Sequence, residues 1–147
     1  MMSDVRQILL AEDNPNDVEL TLAALRENNL ANEVVVVRDG AEALDYLYAR
    51  NAFASRPGGN PALILLDLKM PKVDGIEVLR QLKSDPITRA IPIVVLTSSR
   101  EEQDLVRSYE YGVNAYVVKP VDFQEFVGAV RVLGGFWAVL NEPPPTR

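Results

Sequence analysis

Aliphatic residues gather in five dense bursts along the chain, each followed by a polar turn and then a sparser apolar rhythm. The bursts are Val5–Ala11, Glu33–Val37, Ala62–Leu66, Ile91–Thr97 and the shorter Ala115–Lys119. Their apolar residues run on without alternation, so they predict strands buried on both faces. In the intervening segments Val18, Leu22 and Leu25 share one helical face. The same holds for Leu44 and Leu47, for Val78, Leu79 and Leu82, and for Leu105, Val106 and Tyr109. Phe123, Phe126, Val127, Val130 and Leu133 form a fifth stripe.

Each predicted helix opens with a capping signal. Asp39 and Glu42, Asp74 and Glu77, Ser99 and Glu102, and Asp122 and Glu125 have the spacing of a capping box or a close relative of it. Asn14, Pro15 and Asp17 serve the first helix, with proline at its first position. Asn28-Asn29, Asp85-Pro86 and Tyr111-Gly112 read as stops. The stretch 49–61 reads as a Gly- and Pro-rich loop whose glycines lack phosphate-loop spacing. Five strand–helix units in alternation predict an α/β fold: a parallel sheet with helices on both faces.

In such a sheet the polar business sits beyond the carboxyl ends of the strands. There the chain places Glu12 and Asp13, Asp67, Thr97 with Ser98 and Ser99, and Lys119 before Pro120. Arg38 and Asp39, after the second strand, read as a surface residue and a cap. Asp67 follows four aliphatic residues, and a carboxylate at the tip of a buried strand is costly unless something meets it. Crowded carboxylates raise one another's pKa, and a hard divalent cation relieves them. Mg²⁺, bound by two carboxylates and a backbone carbonyl, suits this rim. Lys119 and Thr97 would then supply a cation and a donor to a dianion.

Composition narrows the chemistry. The 147 residues suffice for one domain, and 48% hydrophobic with 24% charged is ordinary for a globular protein. A net charge of −6 disfavours direct contact with nucleic acid. The absence of Cys and His removes thiolate chemistry, the commonest general base and any phosphohistidine on this chain. No signal peptide or membrane-spanning run is evident, so the expected location is cytoplasmic, with no membrane partner.

The pieces "LLAEDNPND", "LILLDLKMPKVDG", "VVLTSS" and "YVVKP", in order at successive strand ends, resemble the response-regulator receiver domains of bacterial two-component signalling. The resemblance covers about Ile8 to Leu133. The longer loop before the third strand and the aromatic C-terminus resemble receivers that partner bacterial phytochromes. The family implies a doubly wound, flavodoxin-like five-stranded sheet in the order 2-1-3-4-5. It implies Asp67 as phosphoacceptor and Asp13 as a direct Mg²⁺ ligand. Glu12 would hold the ion through water, and the Lys69 carbonyl would be a third protein ligand. It further implies that Lys119 pairs with a phosphoryl oxygen, that Thr97 moves to bond the phosphoryl group, and that Tyr116 rotates inward behind it. The implied partner is a sensor histidine kinase, bacterial phytochromes among them, and the protein would be a switch rather than a turnover enzyme.

Two rival readings share the fold. An aspartyl-phosphate phosphatase needs a carboxylate two residues after the nucleophile, where this chain has Lys69. A flavin carrier needs a Ser/Thr/Gly-rich phosphate loop after the first strand, where this chain has acidic "EDNPND". Asp74 reads as a cap, and Met70 and Pro71 as shaping the turn after Asp67. The expected division is a receiver over 1–133 and a C-terminal helix extension with a Pro-rich tail over 134–147. Gly134 and Gly135 predict a bend. Phe136, Trp137, Val139 and Leu140 beyond them predict a twofold homodimer contact.

Overall fold

The computed structural model describes residues 7–26, 33–56, 59–108, 111, 113 and 115–132. The expected extension and dimer contact at 134–147, and the Asn28-Asn29 stop, lie outside them.

Five strands, β1 (Gln7–Ala11), β2 (Glu33–Val37), β3 (Leu63–Asp67), β4 (Ile93–Thr97) and β5 (Tyr116–Val118), form one parallel sheet. Their order is β2-β1-β3-β4-β5. The helices are α1 (Pro15–Arg26), α2 (Gly40–Leu47), α3 (Gly75–Ser84), α4 (Arg100–Ser108) and α5 (Phe123–Val132). Strand side chains alternate between faces. Leu9, Ala11, Ile64, Leu66 and Val95 therefore join Leu44 and Leu47 of α2, Val78, Leu79 and Leu82 of α3, and Val106 of α4. Ile8, Leu10, Leu65, Val94 and Val117 join Val18, Leu22 and Leu25 of α1 and Phe126 of α5. Burying one such side chain contributes roughly 1.5–3 kcal/mol, so the two layers fix which strand ends meet.

The caps set the helix starts. Asn14 Oδ1 accepts from the Asn16 and Asp17 backbone N–H groups at 2.8 and 3.1 Å. Asp39, Asp74 and Ser99 accept from the N–H of Glu42, Glu77 and Glu102 respectively. Glu42 and Glu102 reach back to the N–H of Arg38 and Ser98, which closes the box one residue before the cap. Asp122 differs from the expected spacing: it accepts from Gln124 N at 3.3 Å, not from Glu125. The apolar stripe of α4 is also narrower than expected, because Val106 is buried while Leu105 is half exposed. The strand ends shift inward as well, since Ala62, Ile91, Ala115 and Lys119 flank their strands rather than belonging to them.

The loop over 49–61 is more built than its composition suggests. Asn51–Phe53 make a 3₁₀ turn. Arg56 lies over the Tyr46 ring and donates to the carbonyls of Tyr46 and Gly59. At the opposite, carboxyl end of the sheet, α3 begins directly against β3. A Cβ on Gly75 would stand 2.4 Å from the Asp67 carbonyl oxygen, so only glycine permits this approach.

Candidate functional site

Four strands deliver the rim. Glu12 extends β1, its N–H donating to Val37 O at 3.0 Å. Asp67 is the last residue of β3 and lies opposite Leu96. Thr97 ends β4, and its carbonyl accepts from Lys119 N at 2.8 Å. That bond carries the β4–β5 pairing one step past β5 and fixes the root of the Lys119 side chain beside Thr97.

Glu12 is fully buried and Asp67 nearly so, while Asp13 faces solvent. The ligand oxygens of Glu12, Asp13 and Asp67 all lie within 4.8 Å of one another. Burial pushes the Glu12 carboxyl from 4.5 up to about 7; the Asp67 carboxylate adds to this, and the Asn14 N–H and Lys119 pull against it. Burial likewise raises Asp67, against the pull of Lys119, a hydrogen bond with Glu12 and the Lys69 backbone N–H. Two acids that resist joint ionisation, with an exposed third at their edge, are a hard oxygen donor set that fits a divalent cation.

One ammonium stands inside this set. Lys119 Nζ lies 3.2 Å from Glu12 Oε1, 3.3 Å from Asp67 Oδ1 and 3.1 Å from Asp17 Oδ2. Burial alone would lower its pKa, but the three carboxylates outweigh that and hold it above the usual lysine range. The Thr97 hydroxyl is fully buried, and its oxygen has no hydrogen-bond partner among the described residues. An unpaired buried hydroxyl costs about 1–3 kcal/mol, which marks it as a donor awaiting a group.

Sequence reasoning thus named the residues that meet here, except Asp17. That aspartate reads as part of a cap, yet Asn14 does the capping and Asp17 turns its carboxylate to Lys119. Lys69 meets the cluster through its backbone, whose N–H donates to Asp67, while Tyr116 of β5 lies three residues before Lys119. The Lys69 ammonium pairs with Glu102 at the start of α4, at 3.0 Å. Tyr116 is half buried, donates to Val113 O at 3.1 Å, and lies beneath the Arg107 guanidinium at 5.1 Å from its ring centre. Asp74 is a cap, as read.

Comparison with known proteins agrees with this architecture. The family model for the response regulator receiver domain matches residues 8–131. The chain is 64% identical to the bacteriophytochrome response regulator AtBRR, covering 95% of this chain and all of that one, with a TM-score of 0.90. It is 63% identical to the bacteriophytochrome response regulator RtBRR, covering 97% of this chain and 86% of that one, with a TM-score of 0.88. It is also 38% identical to the response regulator Rcp1 of Synechocystis, over 88% of this chain and 87% of that protein. The Mn(2+)-bound form of Rcp1 superposes with a TM-score of 0.72 at 35% identity, covering 97% and 99% of the two chains. With a parallel sheet in the order 2-1-3-4-5 and an acidic rim answered by one lysine, the chain belongs to the response regulator receiver domain family, as a phosphoacceptor domain whose structural neighbours serve bacteriophytochromes.

Proposed function

We propose that Asp67 is the phosphoacceptor and that the chain receives its phosphoryl group from a phosphohistidine on a bacteriophytochrome-type histidine kinase. The observation that carries this is the Lys119 ammonium held within 3.3 Å of Asp67, beside the unpaired Thr97 hydroxyl. An Asp67 carboxylate oxygen attacks the phosphorus; the new P–O bond forms as the P–N bond breaks, and the imidazole nitrogen of the donor keeps the electron pair. Lys119 turns from its ion-pair contact with Asp67 to hydrogen-bond a phosphoryl oxygen. Thr97 donates a hydrogen bond to another. Mg²⁺, when bound, supplies positive charge at the phosphoryl oxygens; Asp13, Asp67 and the Lys69 carbonyl would hold it directly, and Glu12 through water.

The output is a change of surface rather than turnover. Lys69 supports this, since the residue two beyond Asp67 is a cation paired with Glu102 and no general acid. Tyr116 is the switch residue of this reading: its inward rotation trades the Val113 and Arg107 contacts for the space vacated by Thr97. The identities of 64% and 63% to bacteriophytochrome response regulators support the kinase class, and with it a cytoplasmic location. No helix among the described residues is long and apolar enough to cross a membrane. The receiver unit is 1–133, and 134–147 is an extension whose Phe136 and Trp137 join two chains about a twofold axis, on the sequence evidence alone. The test is intact-mass measurement after incubation with acetyl phosphate and Mg²⁺. The parent gains one phosphoryl group, and EDTA abolishes the gain. An Asp67→Asn protein that labels to the parent's extent removes the assignment.

A further inference from the structure

Asp17 has no capping work to do. Asn14 Oδ1 takes the N–H groups of both Asn16 and Asp17, which leaves the Asp17 carboxylate to the 3.1 Å contact with Lys119 Nζ. An ammonium has three donors. Here it donates to Glu12 and to Asp17 and stands in ion-pair contact with Asp67 at 3.3 Å, so the Asp17 contact takes a donor that would otherwise fall on the buried acid pair. The Lys119 side chain is mostly buried, and Asp17 is the more exposed of its neighbours, on the first turn of α1. Lys119 and a divalent cation both draw on the carboxyl oxygens of Glu12 and Asp67, so a lysine closed wholly over the pair would compete with that cation.

We infer that Asp17 is a positioning residue acting through Lys119: it draws the ammonium toward α1 and so keeps the Glu12–Asp67 carboxyl pair open to a divalent cation. The inference rests on the reading of Asp67 as the metal-assisted acceptor. Once that acceptor carries its phosphoryl group as an acyl phosphate, the same tether keeps the lysine at the rim, one donor anchored and the others turned to the phosphoryl oxygens.

The test is Mn²⁺ binding to the full chain, followed by electron paramagnetic resonance of the free ion, in a double-mutant cycle. Asp17→Ala weakens Mn²⁺ binding at least fivefold. In a Lys119→Ala background the same substitution changes it less than twofold, because the competitor is gone. Asp17→Asn keeps an oxygen for the ammonium and recovers at least half of the loss on a logarithmic scale. It also serves as the folded comparison if the alanine protein melts early. Equal weakening with and without Lys119 would reduce Asp17 to a surface charge, and unchanged or tighter binding in Asp17→Ala would remove the role altogether. Acetyl phosphate labelling of the parent at Asp67 is run alongside. If the parent does not label there, the acceptor reading fails; if it labels while the cycle shows no coupling, only the role of Asp17 fails.

Discussion

Thr88 and Thr97 are buried alike, at 1% and 0% exposed; Thr88 lies in the turn that leads from α3 into β4, and Thr97 is the last residue of β4. At the amino end, Thr88 Oγ1 donates to Leu82 O at 2.9 Å. Its surroundings are similarly settled: Tyr48 donates to Asp85 Oδ2 at 3.0 Å, and Tyr46 donates to Gln7 Oε1. At the carboxyl end, Thr97 has no hydrogen-bond partner among the described residues, and beside it two buried acids share one lysine. The fold therefore can satisfy a buried threonine and does so where only architecture is at stake. Polar groups left short at the other end are the mark of a site completed by something that arrives.

Adding cation should change the carboxyl end most. If the rim holds Mg²⁺, a concentration 100 times the dissociation constant stabilises the folded state by about 2.7 kcal/mol. At this chain length that is a rise of roughly 5–11 °C in melting temperature, reversed by EDTA. A parent protein whose melting temperature ignores Mg²⁺ would erase the contrast between the two ends.

Next in size is the acid pair itself. Because Glu12 is raised from 4.5 to about 7, the native state keeps a proton that the unfolded chain has released between those values. The unfolded state then binds fewer protons, and stability falls as pH rises through this window. Below 4.5 both states are protonated and the penalty vanishes. Carboxylates held low by partners, such as Glu77 beside Arg80, titrate below the window, while Asp67, also raised by burial, adds to the loss with the same sign. In EDTA, Glu12→Gln should match the parent near pH 5 and exceed its stability by about 2 kcal/mol at pH 8. Thermal melts of both proteins across this range check the sign, and a difference constant with pH would show that Glu12 is not the strained group.

The smallest effect is the most direct comparison. Thr88→Val should cost about 1–2 kcal/mol by deleting a satisfied hydrogen bond, whereas Thr97→Val should cost nothing or gain up to about 1 kcal/mol. Urea denaturation of the pair measures both, and equal losses would mean that Thr97 is satisfied after all.

What could be read without coordinates follows the same division. Continuous aliphatic runs and phased caps specify the layers because burial and helix starts are local properties of sequence. The rim was legible because strand ends in a parallel sheet converge. Asp17 was not, since a first-turn acid is ordinarily explained by the helix dipole, and only the position of Lys119 shows that it faces elsewhere. Leu105 was misread because a nine-residue helix packed along one narrow line buries Val106 alone of the pair. The clamp by Arg56 was invisible because it joins side chain to carbonyls across a loop, which no periodicity encodes.

Gly75 and Asp67 are eight positions apart and nearly touch, yet they would fare differently in descent. The glycine is fixed by a carbonyl that leaves no room for a methyl group, a demand of the fold that does not lapse when signalling does. As the proposed acceptor, the aspartate answers to cation and phosphate, and its buried charge burdens the protein that carries it. A descendant that had abandoned its kinase would be free to shed the acid and bound to keep the glycine, so the pair records, in any relative, whether the fold has outlived its message.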